Sequence, residues 1–152
     1  MPQISLHSPL GPLTLSEEDG AIIALDWGWG RDQTETVLLK SARDWLHAWF
    51  DKPDGVFPLP LAPEGTPYQK KVWAALLKIP VGKVRTYGEL AADIGGSARS
   101  VGQSVGRNPI PILIPCHRVV AAHSLGGYSG DGGPDDKLWL LEFEGAWPVL
   151  NA

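Results

Sequence analysis

The stretch that most constrains this chain runs Asn108-Pro109-Ile110-Pro111-Ile112-Leu113-Ile114-Pro115-Cys116-His117-Arg118-Val119. Each of its three prolines pushes the residue before it toward extended geometry, so the segment cannot be a helix. It is also too apolar for a surface loop. It reads as a rigid, buried, extended strap that holds Cys116 at a fixed position.

Cys116 is the only cysteine in 152 residues. A single thiol excludes an internal disulfide framework and any zinc site built on several thiolates. Most lone cysteines are simply small buried hydrophobes. Here His117 brings an imidazole nearby, Arg118 adds positive charge that favours a thiolate, and three prolines fix a position that a core cysteine would not need fixed. Adjacent side chains of an extended segment point to opposite faces. Contact between Cys116 and His117 therefore requires a bridging water or a turn at this point.

The surrounding chain divides near residue 65. Ile4 to Ser8, Leu13 to Leu15 and Ala21 to Trp27 read as short strands, with Pro9-Leu10-Gly11-Pro12 as a turn. Thr34 to Phe50 has helical spacing, with Leu38, Ala42, Trp45 and Trp49 on one face. The two tryptophans read as core packing. The Pro- and Gly-rich stretch 51–65 reads as a linker, which gives an N-terminal lobe at 1–65 and a C-terminal domain at 66–152. Thr66, Pro67 and Gln69 spell a capped helix start, and Ile79-Pro80 ends that helix. Tyr87 to Ile94 and Ala98 to Arg107 are two short helices joined by Gly95-Gly96, a helix-turn-helix candidate. The second contains Ala98, Ser100, Gly102, Ser104 and Gly106. Two interior glycines cost roughly 1 kcal/mol each against alanine, so close approach to another surface should offset them. That surface is either a neighbouring helix or a DNA minor groove.

Net charge is −4, but it is unevenly spread. Residues 1–65 carry four basic and ten acidic groups, whereas residues 66–118 carry eight basic groups against Glu89 and Asp93 alone. Phosphate contact depends on the local field, not the total. No apolar run approaches the ~18 residues of a membrane span, and no signal peptide is evident. A reduced, cytoplasmic setting is expected.

The run Asn108 to Val119 resembles the active-site signature of the 6-O-alkylguanine-DNA alkyltransferases (methylated-DNA–protein-cysteine methyltransferases). The resemblance extends over residues 66–146 and more faintly into Pro9-Leu10-Gly11-Pro12-Leu13. It implies an α/β (α+β) chain, with a small sheet-plus-helix N-terminal lobe and a mainly helical C-terminal lobe carrying a winged-type helix-turn-helix. It implies irreversible, single-turnover transfer of alkyl groups from the 6-oxygen of guanine to Cys116, without cofactor or metal, by a monomer acting on double-stranded DNA. By that resemblance His117 is the base that acts on Cys116 through a water, and Glu144 orients it. From the residues alone, Glu142 and Glu144 are not distinguishable. Tyr87 looks like the phenol that protonates the departing guanine, and Arg99 like the arginine that fills the gap left by the flipped nucleotide. The resemblance also implies that Ala98, Ser100, Gly102, Gln103 and Arg107 fall on a DNA-binding helix. It implies that Asn108 ties the strap to the helix-turn-helix, and that Val119, Tyr128 and Ser129 line the pocket. The chain departs from the pattern by a shorter turn at Gly95-Gly96, a stretch between Cys116 and Tyr128 one residue shorter, and acidic Asp131, Asp135 and Asp136 where relatives often carry basic residues. A thiol hydrolase using Cys116, His117 and Glu144 is the enzymatic rival. A helix-turn-helix regulator is the binding rival, and a lesion-marking relative would lack the cysteine.

Overall fold

A computed structural model describes residues 1–126 and 133–147. Three antiparallel strands, β1 (Gln3–Leu6), β2 (Leu13–Glu18) and β3 (Ala21–Trp27), form a meander in the order β1-β2-β3. Ile4, Leu6, Leu13, Leu15, Ile22 and Leu25 are buried, and α1 (Val37–Asp51) packs on this sheet. α1 starts later than its periodicity predicts, because Thr36 caps it by accepting the Leu39 N–H. Its buried stripe is Leu39, Ala42, Leu46 and Trp49. Leu38 and Trp45 are only half-buried, so the expected face is rotated by part of a turn.

The stretch 51–65 is more than a linker. Ile22 and Leu61 form a parallel bridge, Ile22 N–H donates to Pro60 and Ala62 N–H donates to Ile22, and Phe57 is buried. The prolines deprive the segment of donors for a regular strand, yet it runs along the sheet's edge.

The second half is mainly helical: α2 (Pro67–Leu76), β4 (Arg85–Thr86), α3 (Tyr87–Ile94), α4 (Ala98–Gly106), β5 (Val119–Val120) and α5 (Pro134–Phe143). α2, α3 and α4 each begin with a capping box, on Thr66, Thr86 and Ser97. Each box satisfies N–H groups that a short helix leaves open. The core is continuous across both halves. Trp73 is fully buried against α4 and donates its indole N–H to the Ser104 carbonyl at 2.8 Å. Trp49 and Phe50 of α1 meet Trp139 and Phe143 of α5, with Trp49–Phe143 at 5.5 Å. The two tryptophans of α1 thus pack against protein, Trp45 edge-on to Phe57.

The proline run is buried but not extended. Ile114 N–H donates to the Ile110 carbonyl at 2.9 Å, and Ile112 adopts φ 73°, so the chain loops on itself. Asn108 makes this possible: its side chain donates to the Ile114 carbonyl and accepts from the Ile110 N–H, both at 2.9 Å. The prolines removed the donors for strand pairing, and one amide side chain closed the loop in their place. Leu25 N–H donates to the Pro109 carbonyl, which fastens the loop to β3.

Candidate active site

Directly after Pro115 the chain makes a single 3₁₀ turn, Cys116–Arg118. This is the turn that lets neighbouring side chains converge. Cys116 is 2% exposed, His117 0% and Arg118 4%. Glu144 caps the C-terminus of α5 and its side chain reaches this turn. His117 Nε2 lies 2.9 Å from Glu144 Oε2. Arg118 Nη2 donates to the same oxygen at 2.7 Å, and Nη1 donates to the Ile79 carbonyl at 2.7 Å. Glu142 is exposed, so burial distinguishes the two carboxylates.

These contacts fix the protonation states. Burial holds His117 below the usual imidazole range, against the pull of the Glu144 hydrogen bond, so the ring is neutral at pH 7. Burial pushes the Glu144 carboxyl up, but hydrogen bonds and charge from His117 and Arg118 bring it below its ordinary value. Nε2–H then donates to an ionised carboxylate, and Nδ1 keeps a lone pair. Nδ1 is buried and has no hydrogen-bond partner among the described residues, and its ring neighbours Cys116 in the turn. A buried acceptor of this kind costs on the order of 1–3 kcal/mol unless something donates to it.

The cation beside Cys116 is not the expected one. Arg118 is committed to Glu144. Lys137, in the first turn of α5, is fully buried, donates to the Val119 carbonyl at 2.6 Å and lies 5.8 Å from the Tyr87 ring centre. Burial lowers it to about 8, while the charge of Cys116 pulls it up. The sequence reading missed Lys137, although a signal was present. Lys137, Leu140, Leu141 and Glu144 follow i, i+3, i+4, i+7 spacing, so one helical face carries both a cation and an anion inward.

Tyr87 is placed by a two-residue parallel ladder. β4 pairs with β5 through Arg85–Val119 and Thr86–Val120. β5 follows the 3₁₀ turn and α3 follows β4, so Tyr87 is delivered beside Cys116. Burial, and then the Cys116 charge, raises the Tyr87 phenol, which keeps it protonated. The ring faces Gly102, where an added Cβ would stand 3.7 Å away.

On α4, Ala98, Arg99, Gln103, Gly106 and Arg107 are exposed, and Ser100 and Gly102 partly so. The small residues divide between the two surfaces considered above. Gly102 and Ser104 face protein, whereas nothing lies within 4 Å of a Cβ at Gly106. Asn108 is buried in the proline loop and Val119 at the start of β5. Tyr128, Ser129 and Asp131 lie outside the described residues. Of the remaining acidic pair, Asp135 is exposed and Asp136 accepts the Trp27 indole N–H at 3.1 Å. Among the described residues, no helix is long and apolar enough to cross a membrane.

Fold and site together define a protein with one buried thiol, flanked by a histidine–carboxylate pair, next to a helix-turn-helix with a small, polar, basic outer face. A family model described as "6-O-methylguanine DNA methyltransferase, DNA binding domain" matches residues 67–146. The chain is 39% identical over 151 residues to the methylated-DNA–protein-cysteine methyltransferase of Methanosarcina acetivorans, covering 92% of this chain and 96% of that protein. It is 40% identical to the constitutive methylated-DNA–protein-cysteine methyltransferase of Bacillus subtilis, covering 91% and 92%. The crystal structure of Mycobacterium tuberculosis OGT in complex with DNA matches with a TM-score of 0.85 at 39% identity, covering 96% and 94%. The chain belongs to the 6-O-methylguanine DNA methyltransferase family.

Proposed function

We propose that this chain repairs DNA by direct reversal, taking a methyl or larger alkyl group from the 6-oxygen of guanine in double-stranded DNA onto Cys116. The observation that carries this reading is His117, in the same turn as the thiol, held on Nε2 by buried Glu144 and with its Nδ1 unpartnered among the described residues. A proton leaves Cys116 for Nδ1 through a water, and Glu144 stabilises the imidazolium that forms. The sulfur attacks the alkyl carbon, a carbon–sulfur bond forms, and the carbon–oxygen bond breaks. Tyr87 gives the departing guanine a proton, and the proton first taken from the thiol restores the phenol. Thiol and alkylated base become thioether and guanine, so no further reactant is required. The product is a thioether, which thiol exchange does not cleave, so each molecule reacts once.

The reactive carbon sits inside a stacked duplex and the thiol is buried, so the nucleotide must flip out, at a cost of a few kcal/mol. We assign Arg99 to the gap it leaves. Ala98, Ser100, Gly102, Gln103 and Arg107 are assigned to the duplex face, and Asn108, Val119, Tyr128 and Ser129 to the pocket. We also read residues 1–65 and 66–152 as two lobes, the second bearing the chemistry. The test is intact-mass analysis after incubation with a duplex carrying methylated guanine. The expected result is a gain of one methyl, mapped to Cys116 and absent in Cys116→Ser. Sustained turnover without DNA, or tight binding with no gain in mass, would refute the assignment.

A further inference from the structure

The turn of the helix-turn-helix is held from outside the motif. Gly95 and Gly96 adopt φ of 94° and 89°, a region that glycine enters without steric cost. Two adjacent glycines also have many other conformations open to them, so this turn does not by itself fix the angle between α3 and α4. Tyr68, in the first turn of α2, reaches into it. Its hydroxyl donates to the Gly95 carbonyl at 2.9 Å and shares a hydrogen bond with the Ser100 hydroxyl at 3.1 Å. The fit is close: a Cβ on Gly96 would overlap the Tyr68 hydroxyl and stand 2.6 Å from Ser100 Oγ. Ser100 is also the residue that closes the capping box of α4 with Ser97. The other end of α4 is tied to the same helix by the Trp73–Ser104 hydrogen bond.

We propose that Tyr68 is a positioning residue for duplex recognition. It locks α2, the Gly95-Gly96 turn and the start of α4 into one unit, so that Arg99, Gln103 and Arg107 meet the duplex at one angle. This rests on the reading of that face as the duplex-contacting surface. The hydroxyl's partners, Gly95 and Ser100, belong to the turn and to α4. The groups nearest the thiol come from the 3₁₀ turn, the start of α3 and α5, and none of them is a partner of the Tyr68 hydroxyl. Effects on docking and on thiol chemistry are therefore separable.

Tyr68→Phe keeps the ring and removes only the hydroxyl. Two rates are compared with the unaltered protein: methyl capture from a duplex carrying methylated guanine, and capture of iodoacetamide by Cys116, which needs no DNA. Loss of hydrogen bonds of ordinary strength predicts a fall of about five-fold on the duplex, with the iodoacetamide rate held within about two-fold. An unchanged duplex rate overturns the proposal. So does a parallel fall of both rates, which would make Tyr68 a general support of the fold. If the unaltered protein captures iodoacetamide but takes nothing from the duplex, the functional reading itself fails, and this proposal with it.

Discussion

At the scale of single residues, the site depends on which cation stands beside the thiol. Sequence proximity pointed to Arg118, but a guanidinium in the interior binds wherever a carboxylate can receive its fork, and Glu144 is that carboxylate. The free choice then falls to Lys137, which is distant in sequence and near in space. Replacing Lys137 by methionine removes a positive charge from a buried setting that also contains Tyr87, His117, Arg118 and Glu144. The thiolate loses a stabilising neighbour, so the pH at half-maximal iodoacetamide capture of Cys116 should rise by about one unit, and capture at pH 7 should slow. An unmoved pH profile would remove Lys137 from the chemistry. The identity of Cys116 and the nearness of His117 were legible because both lie in one short segment. Lys137 was not read, because its partners come from β5 and α3.

At the scale of elements, legibility followed local hydrogen bonding. The capping residues of α2 and the limits of α3 and β3 stand where the sequence placed them, since caps and short-range periodicity are written within a few residues. The parallel β4–β5 ladder had no such signature, being two residues long with partners more than thirty positions apart. The proline run shows the opposite error: φ restrictions were read correctly but extended over a whole segment, which Asn108 instead folds back. In the proposed function, α4 is the element assigned to DNA contact. Arg107 is exposed at its C-cap. Arg107→Gln should weaken binding about equally across sequences and lower the slope of log K against log salt by about one. A sequence-selective loss measured by titration at several salt concentrations would instead make Arg107 a base reader.

Across the whole molecule, negative charge gathers before residue 65 and positive charge between 66 and 118, so the two stretches differ in sign within a net charge of −4. The two halves nonetheless share a core, and the second encloses a buried ionic network, which makes stability sensitive to acid. His117 is held below its ordinary value, so the unfolded chain takes up a proton as pH falls through about 6.5 while the folded chain does not. Glu144 is also lowered. Its contribution is complete above its unfolded value and is lost as pH falls through its folded one. Stability should therefore decline in acid. Glu144→Gln leaves Arg118 buried without its counter-charge and should cost about 3–5 kcal/mol at pH 7. The gap to the unaltered protein should narrow below pH 4.5. Urea unfolding at both pH values checks this, and an unchanged midpoint at pH 7 would contradict it.

α5 has a consequence for how this chain can vary. Lys137 and Glu144 are seven positions apart on one helix, one at each end of the site. One residue inserted between them would swing one end about 100° around the axis and shift it 1.5 Å. Either the cation or the carboxylate would then face solvent. Substitutions on the outer side of α5 leave that spacing intact, whereas a single insertion or deletion in those seven positions does not. The helix therefore works as a ruler, and its length is under tighter constraint than most of its letters.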